Sequence, residues 1–203
     1  MRIGIDIDDT IASTNDKLLE TAIRYDKEVL GGRGFRDESA YKFVEMFYWD
    51  KTNVNNFFTY VRKSNFFLEL DVIPGALEYI NKLYDEGNEI YFITYRSGKD
   101  KRVYEMTKEW LSNKGFKYNK LFMDGSNKGM ICKNNQVDLF IDNSYEHIES
   151  ANMYGIPNIL FHTVYNNDIP DVNRKHNWEE IYNYIKEEGI DGKNSWWTTN
   201  GFR

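Results

Sequence analysis

One cysteine, three prolines and no long apolar run set the first limits on this chain of 203 residues. A lone Cys132 has no partner for an internal disulfide and is too few for a cysteine-based zinc site. It reads as a small buried apolar residue on a helix. No stretch approaches the roughly 18 apolar residues that a membrane-spanning helix requires, so no membrane partner is expected. Met1 is followed almost at once by Asp6, Asp8 and Asp9, which leaves no room for the apolar region of a secretory signal. A cytoplasmic protein is the expectation. Excess positive charge is lacking too. Lys and Arg number 26 against 32 Asp and Glu, a net charge of −6 with both signs dispersed. That argues against the basic stripe of a duplex nucleic-acid binder, and it disfavours nucleic-acid end processing. A small anionic ligand remains open wherever a few groups or a metal invert the local field.

What is present is enough apolar and aromatic material for a core, 41% and 16% of the residues. Short apolar runs at 2–7, 89–94, 120–123, 138–142 and 158–161 read as strands. Between them, Ala76, Leu77, Ile80, Leu83 and Tyr84 share one helical face, and Val103, Met106, Trp110 and Leu111 another. Pro74 and Gly87 bracket the first of these helices, and Gly115 closes the second. Asn143 or Ser144 can cap the helix after Asp142, with Gly155 at its end. Strands alternating with such helices form βαβ units, and near-continuous apolar strands suit a sheet covered on both faces. The fold class expected is therefore α/β, a doubly wound parallel sheet. Between Ile11 and Val72 the alternation stops. Leu18, Leu19, Ala22, Ile23 and Val29 mark a helical face, Gly31 and Gly32 break it, and an aromatic cluster follows with no convincing strand. This suggests a small helical cap at 14–72 inserted into a core of 1–13 and 73–188. Trp178, Ile181, Tyr182 and Ile185 fit a last amphipathic helix, and 189–203 a tail without usable period.

In open α/β sheets, ligands bind beyond the carboxyl ends of the strands. The first strand there offers Asp6, Asp8 and Asp9, the second Thr94 and Arg96, the fourth Asp142. Asp6 and Asp8, two apart, would share a face of a strand. Two adjacent carboxylates repel unless a proton or a cation intervenes. With Asp142 as a third oxygen donor, the set suits Mg²⁺. A calcium loop of the EF-hand type is excluded, since Ile11 and Lys17 stand where glycine and glutamate are needed. Thr94 and Arg96 read either as a strand-end cap and a surface charge or as phosphate binders. Lys128 and Lys133 compete for the role of phosphate-neutralising lysine. Lys128 is preferred because a helix starting after Ser126 would aim it at the site.

These residues, as IDIDDT, YFITYRS, SNKGMICK and DLFIDNS in that order, resemble the four motifs of the haloacid dehalogenase superfamily of phosphotransferases. The likeness covers 1–11 and 73–165. Within the superfamily the chain is most similar to the cytosolic 5′(3′)-deoxyribonucleotidase group and its bacterial and phage relatives, through ITYRS, IPNILFHTVYN and the helical cap. The resemblance implies Asp6 as nucleophile and Asp8 as general acid and base. It implies Mg²⁺ on Asp6, Asp8 and Asp142, and phosphate on Thr94, Arg96 and Lys128. The substrate implied is a small phosphorylated one, a nucleoside monophosphate, and the cap rings Phe43, Phe47, Tyr48 and Trp49 are candidates to stack on its base. Most rings of that cluster are expected to be the cap's own core. Two departures stand out: Asp9 where glycine is common, and Asn143 in place of a second acid. Alternatives are a phosphatase for another small phosphoester, such as a sugar phosphate, and a non-catalytic nucleotide-binding regulator. Base, sugar and oligomeric state stay open, a homodimer included.

Overall fold

The computed structural model describes residues 1–38, 40, 43–170 and 172–187, with Phe43 through its backbone alone. Its frame is a six-stranded sheet in the order β3-β2-β1-β4-β5-β6, every pairing parallel. The strands are β1 Arg2–Ile5, β2 Glu89–Ile93, β3 Lys120–Phe122, β4 Leu139–Asp142, β5 Asn158–Phe161 and β6 Arg174–Lys175. This is the strand order of a doubly wound sheet, which reverses direction beside β1. The first five strands follow the expected apolar runs. Strand β6, two polar residues on the sheet edge, has no pattern to betray it.

Alternation along the strands divides the core between two faces. Ile3, Ile5, Ile90, Phe92, Leu139, Ile141, Ile159 and Phe161 join one apolar cluster, and Tyr91, Ile93, Phe140 and Leu160 the other. The first face is covered by α3 (Ala76–Asp85), α4 (Lys101–Lys114) and α7 (Trp178–Glu187), which bring Ile80, Leu83, Trp110, Trp178 and Ile181. The second takes Cys132 from α5 (Lys128–Asn134) and Ile148 and Ala151 from α6 (Tyr145–Met153). Cys132 is buried, and burial pushes its thiol up to about 12, so it behaves as an apolar side chain. Helix α4 ends where expected: Gly115, at φ +85°, takes the left-handed cap that a side chain would resist.

The segment between β1 and α3 is helical. It holds α1 (Thr14–Tyr25), which runs on into a π-turn at Asp26–Leu30, and α2 (Lys51–Lys63). Short 3₁₀ turns at Phe43–Met46 and Phe66–Leu68 complete it, and among the described residues its β-like contacts are isolated bridges, Asp8 to Ala12, Ala12 to Val72 and Phe35 to Phe47. Ala22, Tyr25, Phe57, Val61 and Phe66 join the same apolar cluster as Ile3 and Ile5, so this segment packs continuously with the sheet's first face. Among the described residues no helix is long and apolar enough to cross a membrane. Residues 188–203, the expected tail and the end of the expected core, lie outside the described residues.

Candidate active site

Strand β1 ends earlier than its apolar run suggests. Asp6 N–H still donates to Ile141 O at 2.9 Å, but the chain then turns. The carbonyl of Ile7 accepts the N–H groups of Thr10, Ile11 and Ala12, and Asp9 adopts φ +57°. Asp6 and Asp8 are therefore presented by a closed turn and not by the pleat of a strand, which corrects the expected shared strand face. That left-handed conformation is one glycine adopts freely, which fits the glycine that the resemblance leads one to expect at position 9. Aspartate tolerates that region better than most side chains, and Asp9 Oδ1 accepts from Asn15 N–H at 2.9 Å, capping the start of α1.

Two clusters of charge form around this turn. In the first, Lys128 Nζ donates to Asp6 Oδ1 at 2.5 Å and to Asp142 Oδ2 at 2.7 Å, all three side chains buried. Lys128 reaches them as the first residue of α5, whose start is capped by Asn127 accepting from Met130 N–H. Lys133, the competitor, lies over the ring of Tyr154 instead. Asp142 Oδ1 also accepts from Ser144 N–H at 2.8 Å, and His147 Nδ1 lies 3.1–3.2 Å from both of its oxygens.

In the second cluster, Arg96 grips Asp8 with Nε and Nη2 at 2.7–3.1 Å. Thr14 Oγ1 donates to Asp8 at 2.6 Å and Thr94 Oγ1 at 3.3 Å, while Thr94 Oγ1 accepts from Arg96 N–H. Arg96 is buried, its guanidinium 4.5 Å from the Phe67 ring centroid and bonded to Thr107 through Nη1. The fork expected to hold phosphate is thus spent on a carboxylate in this structure. A buried guanidinium needs a full counter-charge, and Asp8 is the acid within reach.

Charge balance sets the ionisation of the carboxylates. Three buried or part-buried carboxylates, Asp6, Asp8 and Asp142, face two cations, Lys128 and Arg96. For Asp8, burial opposes ionisation, but Arg96 and then Thr14 outweigh it and hold the carboxyl below its usual range. For Asp142, Lys128 and His147 do the same against burial. Asp6 carries the uncompensated charge: burial pushes it up to about 7, with the neighbouring Asp142 and Asp8 charges adding to the rise against Lys128. Among the described residues, no three Asp, Glu, His or Cys side chains form a ready cation cage. Mg²⁺ does not require one, since it binds through one or two carboxylates with water and substrate oxygens completing its shell. A site short of positive charge at Asp6 and Asp142 fits that cation.

The aromatic candidates separate. Phe47 is buried and stacks on Trp49 with centroids 4.7 Å apart. Trp49 Nε1 donates to the buried Asp26 Oδ1 at 2.6 Å, and its ring also meets Tyr25 and Phe57. With ring faces turned on each other, these two pack together against the insertion's own core. Tyr48 is exposed, and the side chain of Phe43 lies outside the described part of the chain. Sequence reasoning missed His147, Thr14 and Phe67 as neighbours of the site. His147 sits on the first turn of the helix leaving β4, a position that faces back to the strand end and could have flagged it. Asn143, the other departure, accepts from Thr10 Oγ1 at 3.3 Å and so ties the two strand ends together.

With this geometry in view, the likenesses to known proteins are informative. A family model described as "5′ nucleotidase, deoxy (Pyrimidine), cytosolic type C protein" matches residues 1–189. A relative from Chlorobaculum tepidum named "Putative 5′(3′)-deoxyribonucleotidase" is 25% identical over 193 residues, 91% of this chain and 89% of its own. A nucleotidase of Clostridium acetobutylicum is 30% identical over 109 residues, 52% of this chain and 55% of its own. In fold, the chain is similar to a haloacid dehalogenase-like hydrolase of Streptococcus pneumoniae. The TM-score is 0.65 at 13% identity, over 91% of this chain and 97% of the other.

Proposed function

This chain belongs to the cytosolic type C 5′ nucleotidase family, and from that premise we propose a Mg²⁺-dependent phosphomonoesterase that dephosphorylates nucleoside monophosphates through an aspartyl-phosphate. It is a nucleotidase-type phosphatase on the haloacid dehalogenase fold. The observation that carries the reading is the meeting of Asp6, just past the end of β1, and Asp142, at the end of the adjacent β4, on one buried lysine, with Asp8 held two residues on.

In the proposed cycle an Asp6 oxygen attacks phosphorus in line and the leaving alkoxide takes a proton from Asp8. Water then attacks the acyl phosphate, giving its proton to Asp8 and freeing Asp6 with inorganic phosphate. Arg96 orients Asp8 and favours its carboxylate, the form that accepts the proton of water, so the first step requires Asp8 to leave that pair and take up a proton as the substrate phosphate enters. Lysine has three donors, and Lys128 uses two on carboxylates, leaving one for a phosphoryl oxygen. Thr94, buried beside Asp8, contributes its hydroxyl at the same place. Asp6, Asp142 and the Asp8 carbonyl would hold Mg²⁺, which supplies the positive charge that the buried carboxylates lack and that phosphoryl oxygens require. The helical segment 14–72 is proposed as the cap over the site, and a cytosolic setting agrees with the family's description.

A phosphate-release screen over nucleoside monophosphates and sugar phosphates, with and without Mg²⁺, tests the whole. Mg²⁺-dependent release from nucleotides is expected. Release from sugar phosphates alone would move the substrate elsewhere, and no release from any would leave a binding protein.

A further inference from the structure

Histidine is scarce in this chain, three residues in 203, and the rings of His162 and His176 lie together with centroids 4.6 Å apart. The third, His147, is at Asp142. Its Nδ1 lies 3.2 Å from Oδ1 and 3.1 Å from Oδ2 of that carboxylate, and Asp142 is the ring's one hydrogen-bond partner among the described residues. Asp142 is held below the usual carboxylate range, so it has no proton to give, and Nδ1 is the donor. We propose that His147 is a positioning residue for the divalent cation, its Nδ1–H fixing the Asp142 carboxylate so that one acceptor site stays directed at Mg²⁺. The inference rests on the nucleotidase reading above, and on its Mg²⁺ in particular.

Local structure brings the donor there. Helix α6 opens at Ser144, whose N–H donates to Asp142 Oδ1 at 2.8 Å, and His147 is the third residue of the helix. The N–H groups of His147 and Ile148 both donate to Ser144 O, which closes the turn that carries the ring. Helix α5 is fastened alongside. Ser150 Oγ donates to Asn127 Oδ1 at 3.1 Å and accepts from Gly129 N–H at 3.3 Å. A Cβ at Gly129 would collide with the Ser150 carbonyl, so only glycine lets the two helices close in this far. Lys128, next to Gly129, then meets Asp142 from one helix as His147 meets it from the other.

Counting the acceptor sites gives the ring its role. Three donors share one carboxylate, Lys128 on Oδ2, Ser144 on Oδ1 and His147 across both. An ionised carboxylate has about four acceptor sites, so about one remains, and the three donors fix where it points. They are not equivalent. Lys128 is shared with Asp6, and Ser144 donates from its backbone. His147 is the side chain that serves Asp142 alone, so removing it leaves the pairing of Asp6 with Lys128 in place. Hydrogen bonds to a ligating carboxylate hold it in the orientation that the metal needs.

Calorimetric titration of Mg²⁺ into the whole chain reads this without turnover. His147→Ala should weaken Mg²⁺ binding about tenfold. His147→Asn, whose amide can place a donor where Nδ1 stands, should recover the affinity to within about threefold of the wild type. At saturating Mg²⁺ the KM for thymidine 5′-monophosphate should change by less than about twofold in either variant, which separates the cation from the substrate. In the wild type, long-range proton–nitrogen NMR of the neutral imidazole should find the proton on Nδ1, and that spectrum serves if His147→Ala does not fold. Unchanged Mg²⁺ affinity in His147→Ala, equal losses in both variants, or a neutral ring protonated on Nε2 would overturn the assignment, while Mg²⁺ binding by the wild type left the nucleotidase reading standing. No Mg²⁺ binding by the wild type would overturn this inference and the Mg²⁺-dependent reading together.

Discussion

Two regions of this molecule are rich in one kind of side chain, and they use it differently. At the carboxyl edge of the sheet, charged groups reach across the chain, Lys128 to Asp6 over 122 residues and Arg96 to Asp8 over 88. In the helical insertion, rings reach for one another, with Tyr25, Phe47, Trp49 and Phe57 at centroid distances of 4.7 to 5.7 Å. A buried ring is favourable by itself, whereas a buried charge is costly unless paired. Enrichment in aromatics therefore argues for packing first. Enrichment in buried charge argues for chemistry, because stability alone would have chosen apolar residues. If that contrast holds, mutations at the sheet edge should strike function hardest, and mutations in the insertion should strike stability.

The sharpest break would come at Asp6. Asp6→Asn should lower phosphate release by at least about 10⁴-fold, as expected for loss of a covalent nucleophile. Its melting temperature should hold or rise, because the amide removes the one carboxylate that burial leaves uncompensated. Steady-state turnover beside a thermal melt checks both halves, and retained turnover would remove Asp6 from the chemistry. Next comes Lys128→Met, which leaves Asp6 and Asp142 buried together without their shared cation. It should cost about 3–5 kcal/mol of stability, and Mg²⁺ should restore part of it. Urea midpoints with and without Mg²⁺ measure this, and equal midpoints would argue against a cation between those carboxylates.

The insertion supplies the counterpart. Phe47→Ala should cost about 3 kcal/mol through the cavity it leaves under Trp49. Under the same conditions Tyr48→Ala, at an exposed ring, should stay within about 0.5 kcal/mol. Denaturant unfolding of the pair tests it. A large KM effect from Phe47→Ala with no stability loss would reverse the contrast and return that ring to the substrate.

The same contrast explains what the sequence disclosed. Strands β1 to β5 were legible because a sheet covered on both faces needs unbroken apolar runs, and the polar residues ending those runs had no packing reason to be there. The four motifs they form led to the family that the match over residues 1–189 bears out. Lys128 was preferable to Lys133 because a helix start has a direction. What stayed hidden depends on distant partners. Nothing near Arg96 announces that its fork will close on Asp8, and nothing around Phe47 distinguishes a ring facing substrate from one facing Trp49. The early end of β1 was hidden too, since Ile7 continues the apolar pattern while its carbonyl is already closing a turn.

A smaller effect tests the charge account without touching the chain. With Asp6 pushed up to about 7 by burial, a proton competes with Mg²⁺ for that carboxylate in acid. Affinity for Mg²⁺ should therefore rise with pH through 7, by about tenfold between pH 6 and pH 8 for competition by one proton. Isothermal titration in buffers of different ionisation enthalpy should also detect proton release near pH 7. A pH-independent affinity would mean that Asp6 is already ionised and that its burial is compensated by more than Lys128.

The smallest expected effect separates charge from geometry at a single residue. Asp9 lies next to the site, yet its carboxylate caps α1 through Asn15 and its backbone sits at φ +57°, both structural tasks. Burial pushes Asp9 up to about 6 from an ordinary 3.8, with the Asn15 N–H opposing the rise. A carboxyl whose folded-state pKa is raised stabilises most below its ordinary value, and that stability is lost as pH rises through about 6. Asp9→Asn keeps the acceptor and the tolerance for the left-handed backbone while removing the charge. It should match the wild type near pH 4 and gain on it as pH rises to 6, after which the gap should stay level. Asp9→Ala should instead be less stable than the wild type throughout, by about 1–2 kcal/mol, because it loses the cap and strains the backbone. Melting temperatures of the three proteins from pH 4 to pH 8 distinguish these outcomes. If Asp9→Asn falls behind as pH rises, the charge itself is wanted, and Asp9 would belong with the chemistry of the sheet edge and not with the structural cap.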